Sequence, residues 1–281
     1  MKMVIKFAGA LLEDAAAVKS LAEQVASLAK QGHEILVVHG GGRVFTATLK
    51  RLGIESKFVA GLRVTDRATR DAAVMVFAGL LNKQLAAAIS AAGQPAVGIS
   101  AADAACFRAE PLVQNDVEGN LGYVGYLTGV NREVLDSLWR ERLLPVAACL
   151  GLAPDGELYN INADHMAAAA AEYLGADLLI YLTDVAGVLD NGKTLSSVSS
   201  KEVGRLIESG VVSGGMVLKL EAAKRALGGG VKGVHIVGGT EPYGLVRAAA
   251  AGGSIGAAEA PGTRVLGESG SVGISAAYSA A

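Results

Sequence analysis

The stretch Val4-Ile-Lys-Phe-Ala-Gly9 decides how the rest of the chain is interpreted. It is a short apolar run that carries one lysine and ends at a glycine, which is the pattern of a buried strand followed by a tight turn. Lys6 has two interpretations. Either its ammonium group reaches water from an edge strand, or it points into a site where negative charge must be neutralised. Further anion-binding segments along the chain favour the second interpretation.

Composition limits the possible classes of protein. The chain has 281 residues, of which 51% are hydrophobic, and a formal net charge of −2. It is long enough for one large α/β domain or two lobes, and its charge gives no reason to expect binding to nucleic acid or to a membrane. Cys106 and Cys149 lack the spacing of a metal site, so we expect reduced, buried thiols. Without a leader sequence or an apolar run of about 18 residues, we expect a cytoplasmic protein.

Short β-branched runs alternate with longer helical patterns. This alternation predicts an α/β fold, a three-layer αβα sandwich with a mainly parallel central sheet. Strands are expected at 3–7, 34–38, 96–99, 107–111, 123–127, 143–148, 178–183 and 234–237, and helices at 14–31, 43–52, 67–92, 162–174, 200–209, 215–227 and 243–250. A hairpin is expected around residues 115–120, and a poorly ordered tail beyond Leu266.

The predicted helix at 67–92 has an unusually broad apolar surface. One stripe consists of Val74, Phe77, Leu81, Leu85 and Ile89, and Met75, Val76 and Leu80 widen it. The helix is either central and covered by its own chain, or covered partly by a second subunit. A broad apolar surface is typical of an interface, so we expect an isologous homodimer.

The second strand is followed by His39-Gly-Gly-Gly-Arg43 and then by a helix. Glycines allow a ligand to approach the backbone closely, and the free N–H groups at a helix start attract anions. The chain has no Walker loop, and the triplet lacks the third glycine of the dinucleotide fingerprint. The segment predicts an anion site, although glycine-rich turns are also common without a ligand.

Four further segments carry polar residues at strand ends or helix starts. Arg63 is placed to bind a carboxylate with two parallel hydrogen bonds, or to pair with an acid of the protein. The run Asn160-Ile-Asn-Ala-Asp164 is either a helix cap or a polar orienting cluster. A buried strand ends at Thr183-Asp184, where open α/β sheets bind ligands. Lys219 follows the glycine-rich turn after Ser213. It either lies beside phosphates bound at that helix start or is simply exposed to solvent.

In this order and spacing, the motifs resemble those of the amino-acid kinase family, and within it the acetylglutamate kinases, over roughly residues 2–266. The segments that carry the resemblance are Lys6-x-x-Gly9, His39-Gly-Gly-Gly42, Gly61-Leu-Arg-Val-Thr-Asp66, Asn160-Ile-Asn-Ala-Asp164, Leu182-Thr-Asp-Val-x-Gly-Val-Leu189 and Gly214-Gly-Met-x-x-Lys219. The resemblance implies the amino-acid kinase fold. It also implies transfer of the γ-phosphoryl group of ATP to the side-chain carboxylate of N-acetyl-L-glutamate, a step of arginine biosynthesis.

The resemblance further implies how the work is divided along the chain. An N-terminal lobe, residues 1–174, would bind the amino acid and form the dimer, and a C-terminal lobe, residues 175–281, would bind ATP with Mg²⁺ held through the phosphates. Catalysis is expected from Lys6, Lys219 and Asp164, the aspartate orienting the lysines. The acceptor is expected on Gly41, Gly42, Arg63 and Asn160. The nucleotide is expected on Gly9, Thr183, Asp184, Gly187, Leu189, Val211, Ser213 and Gly215, with no residue binding metal directly.

These roles agree with the chemistry of a carboxylate acceptor. A carboxylate is already ionised at pH 7, so it needs no general base. The barrier is the approach of one anion to another, and catalysis must come from positioning and charge neutralisation. Two lysines and a set of glycine N–H groups supply both.

The chain departs from the family pattern at several positions. Ala8 replaces the first glycine of the usual Lys-x-Gly-Gly, Asp103-Ala-Ala-Cys106 replaces a more glycine-rich turn, and His165 and Met166 replace smaller or polar residues. These changes bear on substrate preference more than on the type of reaction. Arginine-inhibited, hexameric relatives carry an additional N-terminal helix, so we expect a dimer without that control.

Three alternatives stay open. The first is a kinase of the same fold for carrier-linked aminoadipate, glutamate, aspartate, carbamate or UMP; the Gly61–Asp66 motif with Asn160 favours N-acetylglutamate. The second is a nucleotide-binding regulator without activity, against which the retained Lys6, Asp164 and Lys219 argue. The third is a nicotinamide-dependent oxidoreductase, which the absent dinucleotide fingerprint disfavours.

Overall fold

A computed structural model describes residues 1–113, 121–252 and 260–267. Its strands are β1 (Lys2–Phe7), β2 (Glu34–His39), β3 (Phe58–Val59), β4 (Leu62–Arg63), β5 (Ala96–Ile99), β6 (Phe107–Pro111), β7 (Gly125–Val130), β8 (Leu144–Ala148), β9 (Leu150–Leu152), β10 (Leu158–Asn160), β11 (Leu178–Thr183), β12 (Leu189–Asp190), β13 (Lys193–Thr194), β14 (Ser197–Ser199), β15 (Gly233–Gly238) and β16 (Thr263–Leu266).

The α-helices lie between these strands. They are α1 (Ala15–Lys30), α2 (Gly42–Arg51), α3 (Arg67–Ala73), α4 (Asn82–Ala91), α5 (Arg132–Arg140), α6 (Ala163–Leu174), α7 (Ser200–Glu208), α8 (Gly215–Gly228) and α9 (Gly244–Ala251). Short 3₁₀ turns occupy Gly9–Glu13 and Asp103–Ala105, and a π-helical segment, Val74–Leu81, joins α3 to α4.

One eight-stranded sheet forms the centre of the protein, in the order β14-β16-β15-β11-β1-β2-β8-β5. Neighbouring strands are parallel except for the pair β15–β16. From the middle of the sheet, the chain runs outward from β1 to β2 on one side and from β11 to β15 on the other. Where connections diverge in this way, a crevice opens at the carboxyl ends of the strands, and ligands bind there.

Alternation along β1 separates the two apolar layers of the core. Met3, Ile5 and Phe7 pack with α1, α4 and α9, whereas Val4 belongs to the layer formed with α2, α3, α6 and α8. Helices therefore cover both faces of the sheet, which confirms the predicted αβα sandwich. Lys6 shares the face of Val4, so its side chain enters the layer of α6 and is only 7% exposed. It does not reach water from a sheet edge.

A smaller sheet, in the order β10-β9-β6-β7, lies beside the site. The predicted hairpin is the antiparallel pair β6–β7, although β7 begins two residues later than expected. Residues 115–120, its expected turn, and the expected tail from residue 268 onward lie outside the described residues. The sequence analysis missed the strands β3, β4, β9, β10, β12, β13, β14 and β16, because each has only two to four residues and shows no usable period.

A continuous helical stretch runs from Arg67 to Ala91. Its predicted stripe is buried at Phe77, Leu81, Leu85 and Ile89, and Val76 is buried as well, whereas Met75 and Leu80 are 58% and 49% exposed. By length and composition alone this helix could cross a membrane, which departs from the expectation that no segment is long and apolar enough. Half of its most apolar part is buried inside the protein, and core helices of globular proteins also pass that test.

Candidate active site

A pocket of about 220 Å³ opens where β1, β2 and α6 meet. Its lining includes seven of the predicted site residues, which come from distant parts of the sequence: Lys6, Gly9, Gly41, Gly42, Arg63, Asn160 and Asp164. Lys6, Gly9, Gly41 and Gly42 lie in or directly after the parallel strands β1 and β2, whose carboxyl ends are side by side. Arg63 comes from β4, Asn160 from β10 and Asp164 from α6.

Three charged side chains form the centre of the site. Lys6 Nζ lies 2.7 Å from Asp164 Oδ1, and Lys219 Nζ lies 2.9 Å from the same oxygen. Lys6 comes from β1, Asp164 from the first turn of α6 and Lys219 from the second turn of α8. All three are buried. The cluster therefore holds two ammonium groups and one carboxylate, a net positive charge, next to the pocket.

The charges in this cluster shift one another's protonation. Burial alone would raise the pKa of the Asp164 carboxyl, but the ammonium groups of Lys6 and Lys219 hold that pKa well below its usual range. Burial and the neighbouring Lys6 lower the pKa of Lys219 to about 8, although Asp164 opposes the change. Asp164 is therefore ionised at neutral pH and accepts hydrogen bonds from both lysines.

Neighbouring groups fix the position of Asp164. Asn162 caps α6, since its Oδ1 accepts hydrogen bonds from the N–H groups of Asp164 and His165 at 2.9 and 3.2 Å. The Tyr181 hydroxyl donates to the Asp164 carbonyl at 3.1 Å, and Lys219 Nζ lies 4.9 Å from the centre of the Tyr181 ring. Tyr181 was not predicted as a site residue. The available clue was a tyrosine in an otherwise apolar strand, because a buried tyrosine hydroxyl needs a hydrogen-bond partner.

Two glycine-rich loops touch each other beside this charge cluster. An atom added at the Cβ position of Gly9 would lie 2.9 Å from Gly41 Cα and 3.0 Å from Gly42 N. Only a residue without a side chain permits this approach. Because α2 begins at Gly42, its first N–H groups have no acceptor within the helix and are free for an anion.

Arg63 also lines the pocket. Its guanidinium donates to Ser56 Oγ at 2.5 Å and to Thr46 Oγ1 at 2.6 Å, and it contacts the rings of Phe45 and Phe58. Burial lowers the pKa of this guanidinium. Within the described part of the chain, its partners are neutral and include no carboxylate. The expected alternative, an ion pair with an acid of the protein, is therefore not what the described residues form.

Asn160 is held next to Arg63. Its side-chain amide donates to Thr65 Oγ1 at 3.2 Å, and the Thr65 hydroxyl donates to the carbonyl of Arg63 at 2.9 Å. The two residues predicted to bind the acceptor thus belong to one hydrogen-bonded unit. Thr46, Ser56 and Thr65 were missed, because nothing in the sequence indicates which hydroxyls will face a given arginine.

Apart from Gly9, the residues predicted to bind the nucleotide belong to the C-terminal part of the chain. Thr183 ends β11, and the Asp184 carboxylate that follows is 3.5 Å from the guanidinium of Arg43 across the cleft. The other predicted positions lie in the segment from Gly187 to Gly215: Gly187 packs against Thr194 and Thr263, Leu189 and Val211 are partly exposed, and Ser213 and Gly215 precede and begin α8. Apart from Gly9, this set does not line the pocket.

A second buried hydrogen-bonded group lies directly behind the glycine loop. His39 Nδ1 is 3.0 Å from the Gly40 carbonyl oxygen, and His39 Nε2 is 3.1 Å from Asn82 Nδ2. His39 was quoted as part of a motif but was given no role, and Asn82 was not singled out. A histidine and an asparagine in otherwise apolar segments were the available signals.

The described residues contain no group of three His, Cys, Asp or Glu side chains that could hold a metal ion. Cys106 and Cys149 are free thiols, and burial raises the pKa of each to about 12. Cys149 lines the pocket as a neutral side chain.

Comparison with known proteins agrees with this arrangement. Residues 1–238 match the sequence profile of the amino acid kinase family. The acetylglutamate kinase of Koribacter versatilis is 52% identical over 248 residues, which are 87% of this chain and 93% of that protein. The acetylglutamate kinase of Solibacter usitatus is 45% identical over 248 residues, 88% of this chain and 95% of that protein.

A solved structure shows the same likeness in three dimensions. A Streptococcus mutans protein superposes with a TM-score of 0.76 at 28% identity, and the match covers 94% of this chain and 98% of that one. By sequence and by fold, the chain belongs to the amino-acid kinase family, within its acetylglutamate kinase branch.

Proposed function

We propose that this kinase transfers the γ-phosphoryl group of ATP to the side-chain carboxylate of N-acetyl-L-glutamate, in the biosynthesis of arginine. The products are N-acetyl-L-glutamyl 5-phosphate and ADP. A carboxylate oxygen forms the new bond to phosphorus, and the bond from phosphorus to the oxygen bridging the β- and γ-phosphates breaks. The names of the relatives support this assignment, and so does the chemistry of the site.

The observation that carries the proposal is the convergence of Lys6 and Lys219 on one oxygen of Asp164. Two unit charges about 4 Å apart repel by about 4 kcal/mol at an effective dielectric constant of 20. An acceptor carboxylate and a γ-phosphoryl group meet that repulsion unless positive charge lies on both sides of the transferring group. Two buried ammonium groups beside a glycine-lined pocket supply such charge.

Asp164 orients the lysines and takes no proton from the substrate. Its pKa lies well below the usual range, so it is a very weak base, and the acceptor carboxylate has no proton to lose. The N–H groups of Gly9, Gly41 and Gly42 donate to the oxygens of the transferring group and of the acceptor carboxylate. Removal of Asp164 would leave two buried like charges without their common partner.

Arg63 and Asn160 hold the other end of the acceptor. Among the described residues, this guanidinium binds only hydroxyls and ring faces, which leaves its charge available for the α-carboxylate of the substrate. The Asn160 amide, fixed by Thr65, binds the N-acetyl end. This arrangement selects an acidic acceptor with a second carboxylate.

The nucleotide binds on the other side of the cleft, at Thr183, Asp184, Gly187, Leu189, Val211, Ser213 and Gly215. We assign residues 1–174 to acceptor binding and 175–281 to ATP binding; in support, β1 and β11, one from each part, are adjacent in the sheet. Mg²⁺ accompanies ATP and is held by its phosphates, since the described residues offer no protein cluster for a metal. It neutralises phosphate charge.

The enzyme acts as a homodimer in the cytoplasm. Two exposed apolar side chains on the long helix, Met75 and Leu80, support a subunit contact there. Two buried, reduced thiols agree with a reducing compartment.

The test is ADP release measured with a panel of acceptors: N-acetyl-L-glutamate, L-glutamate, L-aspartate, carbamate, UMP and a carrier-linked aminoadipate. Hydroxylamine in the same assay converts an acyl phosphate to a hydroxamate, which identifies the phosphorylated group. We expect ADP release and hydroxamate only with N-acetyl-L-glutamate. Turnover with another acceptor, or ADP release that is independent of the acceptor, would contradict the proposal.

A further inference from the structure

The buried pair His39–Asn82 lies outside the pocket and contacts neither substrate site directly. Both residues are fully buried, His39 at the end of β2 and Asn82 at the start of α4. Besides its contact with His39, Asn82 Nδ2 donates to the Val146 carbonyl at 2.8 Å. Lys83 Nζ donates to Asn82 Oδ1 at 3.3 Å and to the Gly98 carbonyl at 2.7 Å. The pair ties α4 to the strands β2 and β8, and the adjacent Lys83 ties it to β5.

The protonation of His39 follows from its two contacts. A carbonyl oxygen only accepts, so Nδ1 carries the proton and donates to Gly40, while Nε2 accepts from the Asn82 amide. Burial lowers the pKa of His39 to about 4, although the Gly40 contact opposes the change, so the ring is neutral. Asn82 fixes this tautomer, since its amide donates to Nε2 and to Val146 while its oxygen faces Lys83.

The contact with Gly40 has a consequence for the next residue. The peptide bond is planar and trans, so the C=O of Gly40 and the N–H of Gly41 belong to one rigid unit and point in opposite directions. A hydrogen bond that holds the Gly40 oxygen on the buried side therefore fixes the direction of the Gly41 N–H. Glycine has no side chain to restrain this unit, so the restraint must come from elsewhere.

The geometry points to His39 and Asn82 as positioning residues for the acceptor site: they anchor the Gly40 carbonyl and thereby aim the Gly41 N–H at the carboxylate that is phosphorylated. This inference rests on the proposed function. The π-helical segment completes the support, because a Cβ on Gly41 would overlap Leu81 and lie 3.6 Å from Phe77. Both side chains pack against the loop from the π-helical segment that directly precedes Asn82.

A first test replaces Asn82 by Ala in the full-length enzyme. Small misplacements of a binding group reduce turnover by up to about 100-fold, so we expect kcat/KM for N-acetyl-L-glutamate to fall about 10- to 100-fold, with ATP affinity by calorimetry unchanged. The control is Gln24→Ala. Gln24 is also buried, and it accepts hydrogen bonds from the Leu245 and Val246 N–H groups, which tie α1 to α9 in the same layer without contacting the glycine loop. The Gln24→Ala substitution should lower the melting temperature without changing kcat/KM for N-acetyl-L-glutamate.

A second test moves Asn82 without replacing it. A Cβ on Gly98 would overlap Asn82 Oδ1, so Gly98→Ala should displace the amide and reproduce the acceptor defect. In the double variant G98A/N82A the overlap is gone. We therefore expect the double variant to be no worse than Asn82→Ala alone, whereas independent effects would multiply.

A third test separates the two ends of the histidine. In His39→Asn the amide nitrogen occupies the position of Nδ1 and still reaches the Gly40 carbonyl. In His39→Gln the amide occupies the position of Nε2 and reaches only Asn82. We expect His39→Asn to retain more acceptor turnover than His39→Gln at equal thermal stability.

Two results would overturn the inference. One is a folded Asn82→Ala or His39→Gln enzyme that melts earlier but keeps wild-type kcat/KM for the acceptor, which would make the pair purely structural. The other is multiplicative loss in G98A/N82A. If the wild-type enzyme itself releases no ADP with N-acetyl-L-glutamate, the proposed function fails instead, and the two failures are distinguishable.

Discussion

The carboxylate of Asp164 is shared by two lysines, and this sharing sets the chemistry of the site. One carboxylate between two ammonium groups leaves an excess positive charge in a buried place, which is unfavourable in the absence of ligand. Desolvation contributes most to the lowered pKa of Lys219. An anionic substrate relieves that cost on binding, so the site is built to be completed by phosphate and carboxylate groups.

The first prediction concerns the two lysines. Replacing Lys6 or Lys219 by Ala should lower kcat by about 10²–10³-fold, as for the loss of one donor from a pre-organised anion site. Lys224→Ala is the control, because Lys224 is exposed on the same helix, α8. Steady-state kinetics on folded protein provides the measurement. Wild-type turnover in either variant would remove that lysine from the catalytic centre.

The second prediction is a pH dependence. The ammonium group of Lys219, with its pKa near 8, loses its proton as the pH rises through that value. The site of the free enzyme then loses one of the two ammonium charges that lie beside the pocket. We therefore expect kcat/KM for ATP to fall above about pH 8. Bound phosphates favour the charged form, so the corresponding decline in kcat should lie at higher pH.

Lys219 also makes stability depend on pH, but in the opposite direction: stability should rise with pH where kcat/KM falls. In the unfolded chain its pKa is 10.5, so between about pH 8 and 10.5 the unfolded state binds more protons, and the contribution of Lys219 to the free energy of unfolding rises with pH. A pH profile of kcat/KM that is flat to pH 10 would show that Lys219 keeps its proton in the free enzyme.

Residue-scale prediction from the sequence succeeds where a motif carries the information. Lys6, Asp164 and Lys219 were identified as a group, and the fold brings them together. Residues that hold the site in place were not identified: Tyr181, which donates to the Asp164 carbonyl, Thr46, which accepts from Arg63, and the pair His39–Asn82, which contacts Gly40. Asn82 reaches His39 across 43 positions of sequence, and such a contact depends on how helices pack on the sheet, which no local pattern encodes.

At the scale of elements, the two glycine loops act as one unit. The loop after β1 and the loop after β2 are in backbone contact at Gly9, because the parallel strands place their ends side by side. In the proposed function, the N–H groups of both loops bind one anion. A substitution that separates the loops should therefore damage catalysis without removing any charged group.

The third prediction tests this contact. In Gly9→Ala the added methyl group meets the backbone of Gly41 and Gly42, which cannot rotate away as a side chain can. We expect a destabilisation of about 1–3 kcal/mol from overpacking and a loss of turnover in the folded enzyme. Denaturant unfolding and kinetics measure the two effects.

The control for this variant is Gly204→Ala in α7, where an added Cβ meets nothing within 4 Å. That change should stabilise the protein slightly, since alanine is the better helix former by up to about 1 kcal/mol, and should leave turnover unchanged. Gly9→Ala with normal activity would mean that the two loops need not touch during catalysis.

Most long elements were predicted and the short strands were not, and the nine-residue helix α5 was also missed. The strand at 178–183 and the helix at 15–30 have enough residues for their periods to be recognised. β16, next to the expected tail, was missed because a four-residue strand that pairs antiparallel with β15 leaves no pattern in the sequence. The π-helical segment could not be predicted for a related reason. Its hydrogen-bond spacing differs from that of an α-helix over only a few residues, too few to change the hydrophobic period.

At the scale of the whole molecule, the acceptor pocket and the proposed subunit interface share one helix. Phe77 and Leu81 of the π-helical segment face the glycine loop, while Met75 and Leu80 of the same segment are exposed. Side chains on opposite sides of one helix are separated by about 10 Å. A second subunit on the exposed side would therefore support the helix that presses on Gly41.

The fourth prediction tests the homodimer through this exposed side. The double variant M75E/L80E places two carboxylates on a surface that would be buried between subunits, where unpaired charges are strongly unfavourable. We expect the wild-type protein to sediment as a dimer and the variant as a folded monomer. Leu52→Glu, at an equally exposed apolar position after α2, is the control and should remain dimeric. A wild-type monomer or hexamer would refute the prediction, and a variant that stays dimeric would place the interface elsewhere. If the interface supports the glycine loop, the monomer should also show a higher KM for N-acetyl-L-glutamate while binding ATP normally, because the residues that we propose for the nucleotide do not contact this helical segment.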